Sequence, residues 1–409
     1  MSMLALPAEL VLLISQETQA QDRLALRATN RKLCVLVTPH AFRTVYTTST
    51  GKSSAGFYSL LRCDDVRKHV REIVYRDSFA GDVGSGREDC RKDGLTDGPR
   101  DEVSDSSRED DGRGCLDEVE EGVIANLSAA FSLLHTLPAL HTLTFAFHPI
   151  YKTHNTPISS FNRKRYPHVD IQLAIFAALE STSVARLRSL TLDHSTPFSH
   201  EISTHPTFLK YFRKLTHLHI ATSSDLHFIF AGPLADFWAR SLPPLLRAPA
   251  STLTSLTLHS EHDVGAIPGL TLGHLRYPHL THLSLQHIVF DAGISTEAFI
   301  LAHARTLTSL TLSRCKIAIP HPAPPTARRW ADVCPRLAAK LVRLVHLAVD
   351  FEVGLDPDTF EHKRFPYALV QPGWGYSSVG IEEWVTEDDA ALEVFQGAVA
   401  ARMASVAES

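Results

Sequence analysis

Seven times between residues 140 and 349 the chain repeats one spacing of apolar residues, L-x-x-L-x-L. The triplets are Leu140, Leu143, Phe145; Leu187, Leu190, Leu192; Leu215, Leu218, Ile220; Leu253, Leu256, Leu258; Leu280, Leu283, Leu285; Leu307, Leu310, Leu312; and Leu344, Leu347, Val349. A fainter copy, Val70, Ile73, Tyr75, precedes them. The alternation that ends each phrase is the period of a strand with one buried face. Between phrases lie stretches of helical character, VDIQLAIFAALES, PLADFWARSL, STEAFILAHA and TARRWADVCPRLAAKL. Strand, helical crossover and parallel strand in repetition predict a right-handed α/β array in which stacked neighbours bury what one unit cannot.

The phrase resembles the strand segment of a leucine-rich repeat over roughly residues 65 to 352. The resemblance implies an α/β leucine-rich-repeat solenoid, with parallel strands on a concave face and helices on a convex face. Central leucines follow one another at 47, 28, 38, 27, 27 and 37 residues, against a family range of about 20–29. The family's Asn or Cys, three residues past the phrase, appears only as Cys315. The alternative is an ordinary doubly wound α/β domain, and seven near-identical phrases argue against it.

The N-terminus has a different pattern. Leu10, Val11, Leu12, Leu13 and Ile14 run without a break after Pro7, which suits the first turn of a helix. Five consecutive apolar residues cover a helix on every side, so such a helix needs burial all round. Short helices around Asp22 to Thr29 and Arg31 to Val37 follow. Three such helices rarely bury enough surface to fold alone, so part of this surface must meet the rest of the chain or another protein.

Leu6, Pro7, Glu9, Leu10, Ile14, Asp22, Leu24, Asn30, Arg31 and Leu33 match the pattern of an F-box, and HAFRTVYTT with SLLRCDDVRKHVREIVY is similar to the lead-in of fungal F-box proteins with C-terminal leucine-rich repeats. The resemblance implies the substrate-recognition subunit of an SCF-type cullin-RING ubiquitin ligase. The F-box would dock the Skp adaptor, and through it a cullin, while the repeats hold a protein substrate. Adaptor contacts carried over by motif position are Leu6, Pro7, Leu10, Ile14 and Leu24. The alternative is a repeat scaffold acting without a ligase, its first helices merely capping the array.

Composition changes this picture in one place. Residues 77–121 hold 16 acids and 6 bases, while the remainder holds 29 acids and 34 bases. The acidic stretch is rich in Gly, Asp and Ser and too poor in apolar residues to offset the entropy of ordering, so it is expected to be a disordered insertion. Within it Ser106 and Ser107 stand three residues before Glu109 and Asp110, a pattern for an acid-directed kinase. The expected organisation is a helical F-box-like unit over 1–45, a lead-in and first repeat over 46–76, the acidic insertion over 77–121, the repeats over 122–352, and a C-terminal region over 353–409. A capping helix is expected there from about Glu387 to Arg402, with Thr386 as its N-cap.

The six cysteines are scattered with no C-x-x-C pair, which suits free thiols in a reducing compartment. No apolar run approaches the roughly 18 residues of a membrane span, and the opening stretch lacks the cationic start and cleavage site of a signal peptide. A cytoplasmic or nuclear protein with no membrane partner is expected.

Catalytic patterns are missing. GKSS at Gly51 has Tyr46 where a phosphate loop needs its first glycine. H-E-x-x-H, G-x-S-x-G and G-x-G-x-x-G are absent, and the Lys and Arg form no basic stripe for nucleic acid. His259, Glu261 and His262, or His194, His200 and Glu201, could ligate a metal, but neither set has a family spacing among 23 histidines. A non-enzymatic protein without cofactor or metal is expected. A substrate would meet the outward residues of the strands, and the flattest patch is His217, His219, Thr257, His259, His282 and Ser284 on three successive strands.

Overall fold

The computed structural model describes residues 6–77, 121–148, 167–182, 184–197, 199–223, 235–291, 293–320, 326–351, 353–355, 362–364, 366–371 and 375–407. Of the acidic stretch, only Asp77 and the backbone of Glu121 fall among them. The insertion, with Ser106 and Ser107, lies outside the described residues.

Three helices open the chain: α1 (Ala8–Glu17), α2 (Ala20–Thr29) and α3 (Arg31–Ala41). Pro7 precedes α1, and its carbonyl accepts from the N–H of Leu10 and of Val11. Asn30 caps α3 by accepting the Leu33 N–H at 3.0 Å. The helices close on Val11, Leu33 and Val37, a cluster separate from the main core. Thr38 ties them further, its hydroxyl accepting from Arg27 Nε at 3.0 Å.

The body is one nine-stranded parallel sheet: β1 (Thr44–Thr48), β2 (Glu72–Arg76), β3 (Thr142–Ala146), β4 (Ser189–Ser195), β5 (His217–Thr222), β6 (Ser255–Val264), β7 (His282–Ile288), β8 (Ser309–Ser313) and β10 (His346–Asp350). Neighbours in the sheet follow one another along the chain. The register is that of the phrases: Leu143, Leu190, Leu218, Leu256, Leu283, Leu310 and Leu347 stand opposite one another in turn.

Helices α4 (Gly51–Leu61), α5 (Asp64–Arg67), α6 (Glu121–Ser132), α7 (Pro167–Glu180), α8 (Pro206–Phe212), α9 (Leu242–Arg247), α10 (Thr296–Ala302) and α11 (Trp330–Lys340) lie in the connections. The apolar faces of all of these but the short α5 form one continuous core with the inward leucines. The outward residues of the central strands stay partly or fully exposed.

The expected leucine-rich-repeat solenoid with a three-helix F-box in front is corrected to an α/β fold on this nine-stranded parallel sheet. Three findings overturn the regular unit. Residues 265–281, between β6 and β7, contain no helix. The sheet begins with β1, which carries no phrase of its own. After β8 the chain adds β9 (Ile317–Ile319), β11 (Val353–Leu355), β12 (His362–Arg364), β13 (Tyr367–Gln371) and β14 (Gly375–Val379), which make a three-stranded and a two-stranded sheet. The physical reason is that L-x-x-L-x-L encodes one strand with one buried face and nothing about the return path, which a solenoid must repeat. Three helices do open the chain, but their packing does not single out an F-box.

The last helix, α12 (Glu382–Ala407), starts five residues before its expected beginning, so Thr386 lies inside it and is no cap. Phe395 and Val399 are its buried contacts. Asp388 accepts from the first turn of α11 (Ala331 N–H, 2.8 Å) and from the Tyr367 hydroxyl. Arg402 donates to Ala338 and Leu341 carbonyls at the other end of α11, at 2.5 and 3.1 Å. The helix is thus pinned at both ends of its neighbour, with an acid at a helix N-terminus and a base at a C-terminus, as the helix dipole favours.

Candidate functional site

Strand alternation places two rows of the expected patch on the outward face of β5, β6 and β7. His217, Ser255 and His282 form one row, and His219, Thr257 and Ser284 the next. His259 lies one step further along β6, and its Nε2 is 2.9 Å from Ser284 Oγ. The His219 and His259 rings meet edge to face at 5.5 Å. All six residues therefore share one face. His217 and His282 are exposed and the other four half-buried.

The two pairs of histidines have different surroundings. His217 and His282 each turn Nδ1 to the hydroxyl of the preceding threonine, at 2.9 and 2.8 Å. His219 and His259 crowd each other near Asp193 and His194. Burial, more than the carboxylate of Asp193 offsets, lowers His219 from its ordinary 6.5. Burial and the neighbouring His219 bring His259 down to about 4. Both inner histidines are thus held below the ordinary imidazole value by burial.

Left-handed backbone recurs beside this face. His194, His287 and Arg314 have φ of 51°, 53° and 51°. Each lies two residues past the last phrase leucine of its strand (Leu192, Leu285, Leu312). A side chain with Cβ disfavours this region, so the irregular backbone near the end of these strands, where β4 shifts register between Leu192 and Ser195, is set by the fold.

Sequence reasoning missed a charged network at the same end of the strands. Lys316 is buried and donates to Asp263 Oδ2 at 2.7 Å and to Ser378 Oγ at 2.6 Å. Asp263 Oδ1 lies 3.1 Å from His287 Nδ1. Burial alone would raise Asp263, but His287 and Lys316 outweigh it and hold the carboxyl below its ordinary 3.8. The network joins β6, β7 and the three-stranded sheet. One signal was available: a lone lysine inside the apolar run Cys315–Ile319 demands a buried partner. Its partner 53 residues away was not legible.

Nearby, the Tyr376 hydroxyl accepts the Ala266 and Ile267 N–H groups at 2.6 and 3.3 Å. It lies so close to Gly265 that a Cβ there would collide with it.

Among the described residues no group of three or more His, Cys, Asp or Glu is arranged to hold a metal ion. His259, Glu261 and His262 are split by other bonds, His259 to Ser284 and Glu261 to the Ser223 hydroxyl at 2.7 Å. His200 instead accepts the Ile202 N–H as a cap. Gly51 begins α4, with Thr50 as the cap.

The expected adaptor residues fall into two groups. Leu6 packs partly on the small core of Val11, Leu33 and Val37. Pro7, Leu10, Ile14 and Leu24 are exposed. Leu13 and Val35, which the motif did not mark, are the most exposed large apolar residues here, at 57% and 69%. On α1 only Val11 and Ser15 are buried, so the burial all round that its sequence demands is not met among the described residues.

No family model and no curated protein matches this sequence. Among the described residues no helix is long and apolar enough to cross a membrane.

Proposed function

We propose that the chain is a non-catalytic substrate receptor of a cullin-type ubiquitin ligase. Its N-terminal helices dock a Skp-type adaptor, and the outward face of its sheet receives a protein substrate. What supports the reading is the apolar surface on α1 to α3. Leu10, Leu13, Ile14, Leu24 and Val35 are exposed on a unit whose own core is three residues. Solvent-facing apolar residues in such density mark a protein-binding surface, and the F-box-like sequence around them supplies the kind of partner.

The substrate half of the reading is supported by the character of the sheet face. Its central strands present His, Ser and Thr to solvent, with inward leucines held in register behind them. A rigid, polar, nearly uncharged surface suits recognition by hydrogen bonding more than by charge.

The test is reconstitution. The full chain is mixed with a purified Skp-type adaptor and run by size exclusion, and a stoichiometric complex is expected. Separate elution at concentrations of about 10 µM would place the dissociation constant well above that of a stable complex. It would leave the alternative, a binding scaffold working outside a ligase.

A further inference from the structure

The strand β10 ends the large sheet and pairs with β8 on one side. The His346 N–H donates to the Thr308 carbonyl at 3.0 Å, and the Asp350 carbonyl accepts from the Arg314 N–H at 2.6 Å. In a parallel ladder alternate residues aim both main-chain groups to the same side. His346, Ala348 and Asp350 therefore face β8, while Leu347 and Val349 aim N–H and C=O at the other edge, where no strand pairs among the described residues. Their side chains are also less covered than the inward leucines of β3 to β8, which are buried throughout.

Helix α12 runs beside this edge without closing on it. Two cavities lie between them. One, of about 280 Å³, is lined by Ser309, Leu310 and Thr311 of β8, by β10 from His346 to Ala348, and by Val399, Ala400 and Met403. The other, of about 370 Å³, is lined by Val349, Asp350, Asp389 and Glu393, with Arg364. Gln396 lines both, so they are two compartments of one groove, with the last strands of the sheet, β8 and β10, for one wall and a helix for the other. The first compartment sets aliphatic side chains beside Met403 and carries Ser309, Thr311, His346 and Gln396 as its polar residues. The second sets three carboxylates against one guanidinium, since Arg364 donates to Asp389 at 2.7 Å.

We infer that this groove binds an extended peptide of a partner protein by strand addition to β10. Main-chain hydrogen bonds to Leu347 and Val349 would hold the peptide about 4.8 Å from the edge. The chemistry of the compartments sets its sequence: an aliphatic side chain beside Met403 and a lysine or arginine beside Glu393 and Asp350. The site is separate from the adaptor helices and does not depend on the ligase reading.

The probes are two fluorescein-labelled peptides, Val-Thr-Val-Thr-Arg and Arg-Thr-Val-Thr-Val, which cover both strand polarities. Each is titrated into the full chain and followed by anisotropy and by amide hydrogen exchange. One of them is expected to saturate and to slow exchange in the segment 345–351. Val349→Pro should weaken binding about tenfold or more, the weight of a lost main-chain bond and a lost contact. It should still fold, because its N–H faces away from β8. Glu393→Lys should weaken the arginine probe and leave a probe with threonine in its place unchanged.

Failure of both peptides to saturate by about 1 mM, or binding with unaltered exchange in 345–351, would overturn the inference. So would undiminished binding by a folded Val349→Pro chain. Should that variant not fold, unchanged affinity in Glu393→Lys decides against it. A chain that sediments as a dimer and becomes monomeric with Val349→Pro would mean that a second copy occupies the edge, which also overturns the peptide assignment.

Discussion

The two ends of this molecule and its middle handle apolar surface in opposite ways. Among the described residues from β2 through β8 the large apolar side chains are inside or partly covered, in one core that runs from Ile73 to Leu312. The exposed large apolar residues among those described lie at or before Tyr46 and at or after Val342. In the middle each strand has a neighbour on both sides, and its leucines meet those of the next strand. At the ends no further strand of this sheet is found among the described residues, and the surplus faces outward. The N-terminal helices and the groove beside β10 are thus the places where burial is still to be gained, and the adaptor and the extended peptide are proposed to bind there.

The comparison breaks most visibly at the C-terminal end. Truncation after Gly380 removes Phe395 and Val399 from the core and leaves the Ala331 N–H and the last carbonyls of α11 without Asp388 and Arg402. The expected outcome is aggregation, or a melting temperature lower by about 10 °C or more. Differential scanning calorimetry checks it, and a truncated chain of unchanged stability would show that α12 is an attachment and not a lid.

Next in size is a substitution in the saturated middle. Leu283 lies fully inside, opposite Leu256 and Leu310. Leu283→Ala should cost about 2–5 kcal/mol in urea unfolding. The matching change on α1, Leu13→Ser, should alter stability by no more than about 0.5 kcal/mol, because an exposed side chain loses little. Similar losses at the two positions would erase the contrast between the regions.

A smaller effect comes from the inner histidines of the sheet face. Burial and His219 hold His259 at about 4, below its ordinary 6.5. The folded state therefore binds fewer protons than the unfolded one between those values. Stability from this group is fully present above pH 6.5 and is lost as pH falls through about 4. Urea midpoints at pH 7 and pH 5 should differ less in His259→Gln than in the parent chain. An equal difference in both would mean that other groups set the acid limb.

How much of this was legible in the sequence depends on where the information is local. The spacing of Leu187, Leu190 and Leu192, repeated along the chain, contains both strand position and register, because opposite residues in a parallel sheet need the same periodicity. The helices α7, α10 and α11 were legible for the same reason. The helix-free path from β6 to β7 was not, since the turn around Gly265 depends on Tyr376, more than 100 residues away. Nor was the pairing of Lys316 with Asp263, in which neither residue has a local pattern. On α1 the unbroken apolar run indicated an interface, but only the structure separates Val11, which faces inward, from Leu10, Leu13 and Ile14, which do not.

The most direct test of the central claim changes that outward face and nothing else. Leu10→Asp with Ile14→Asp places two carboxylates on an exposed surface, harmless to a free chain and costly in a docked one, where each would be buried without a partner. Isothermal titration of a Skp-type adaptor into the parent and the doubly substituted chain, with a melting curve for each, gives both quantities. The account predicts equal melting temperatures, binding by the parent, and none detectable by the variant. Equal binding by a folded variant would contradict it.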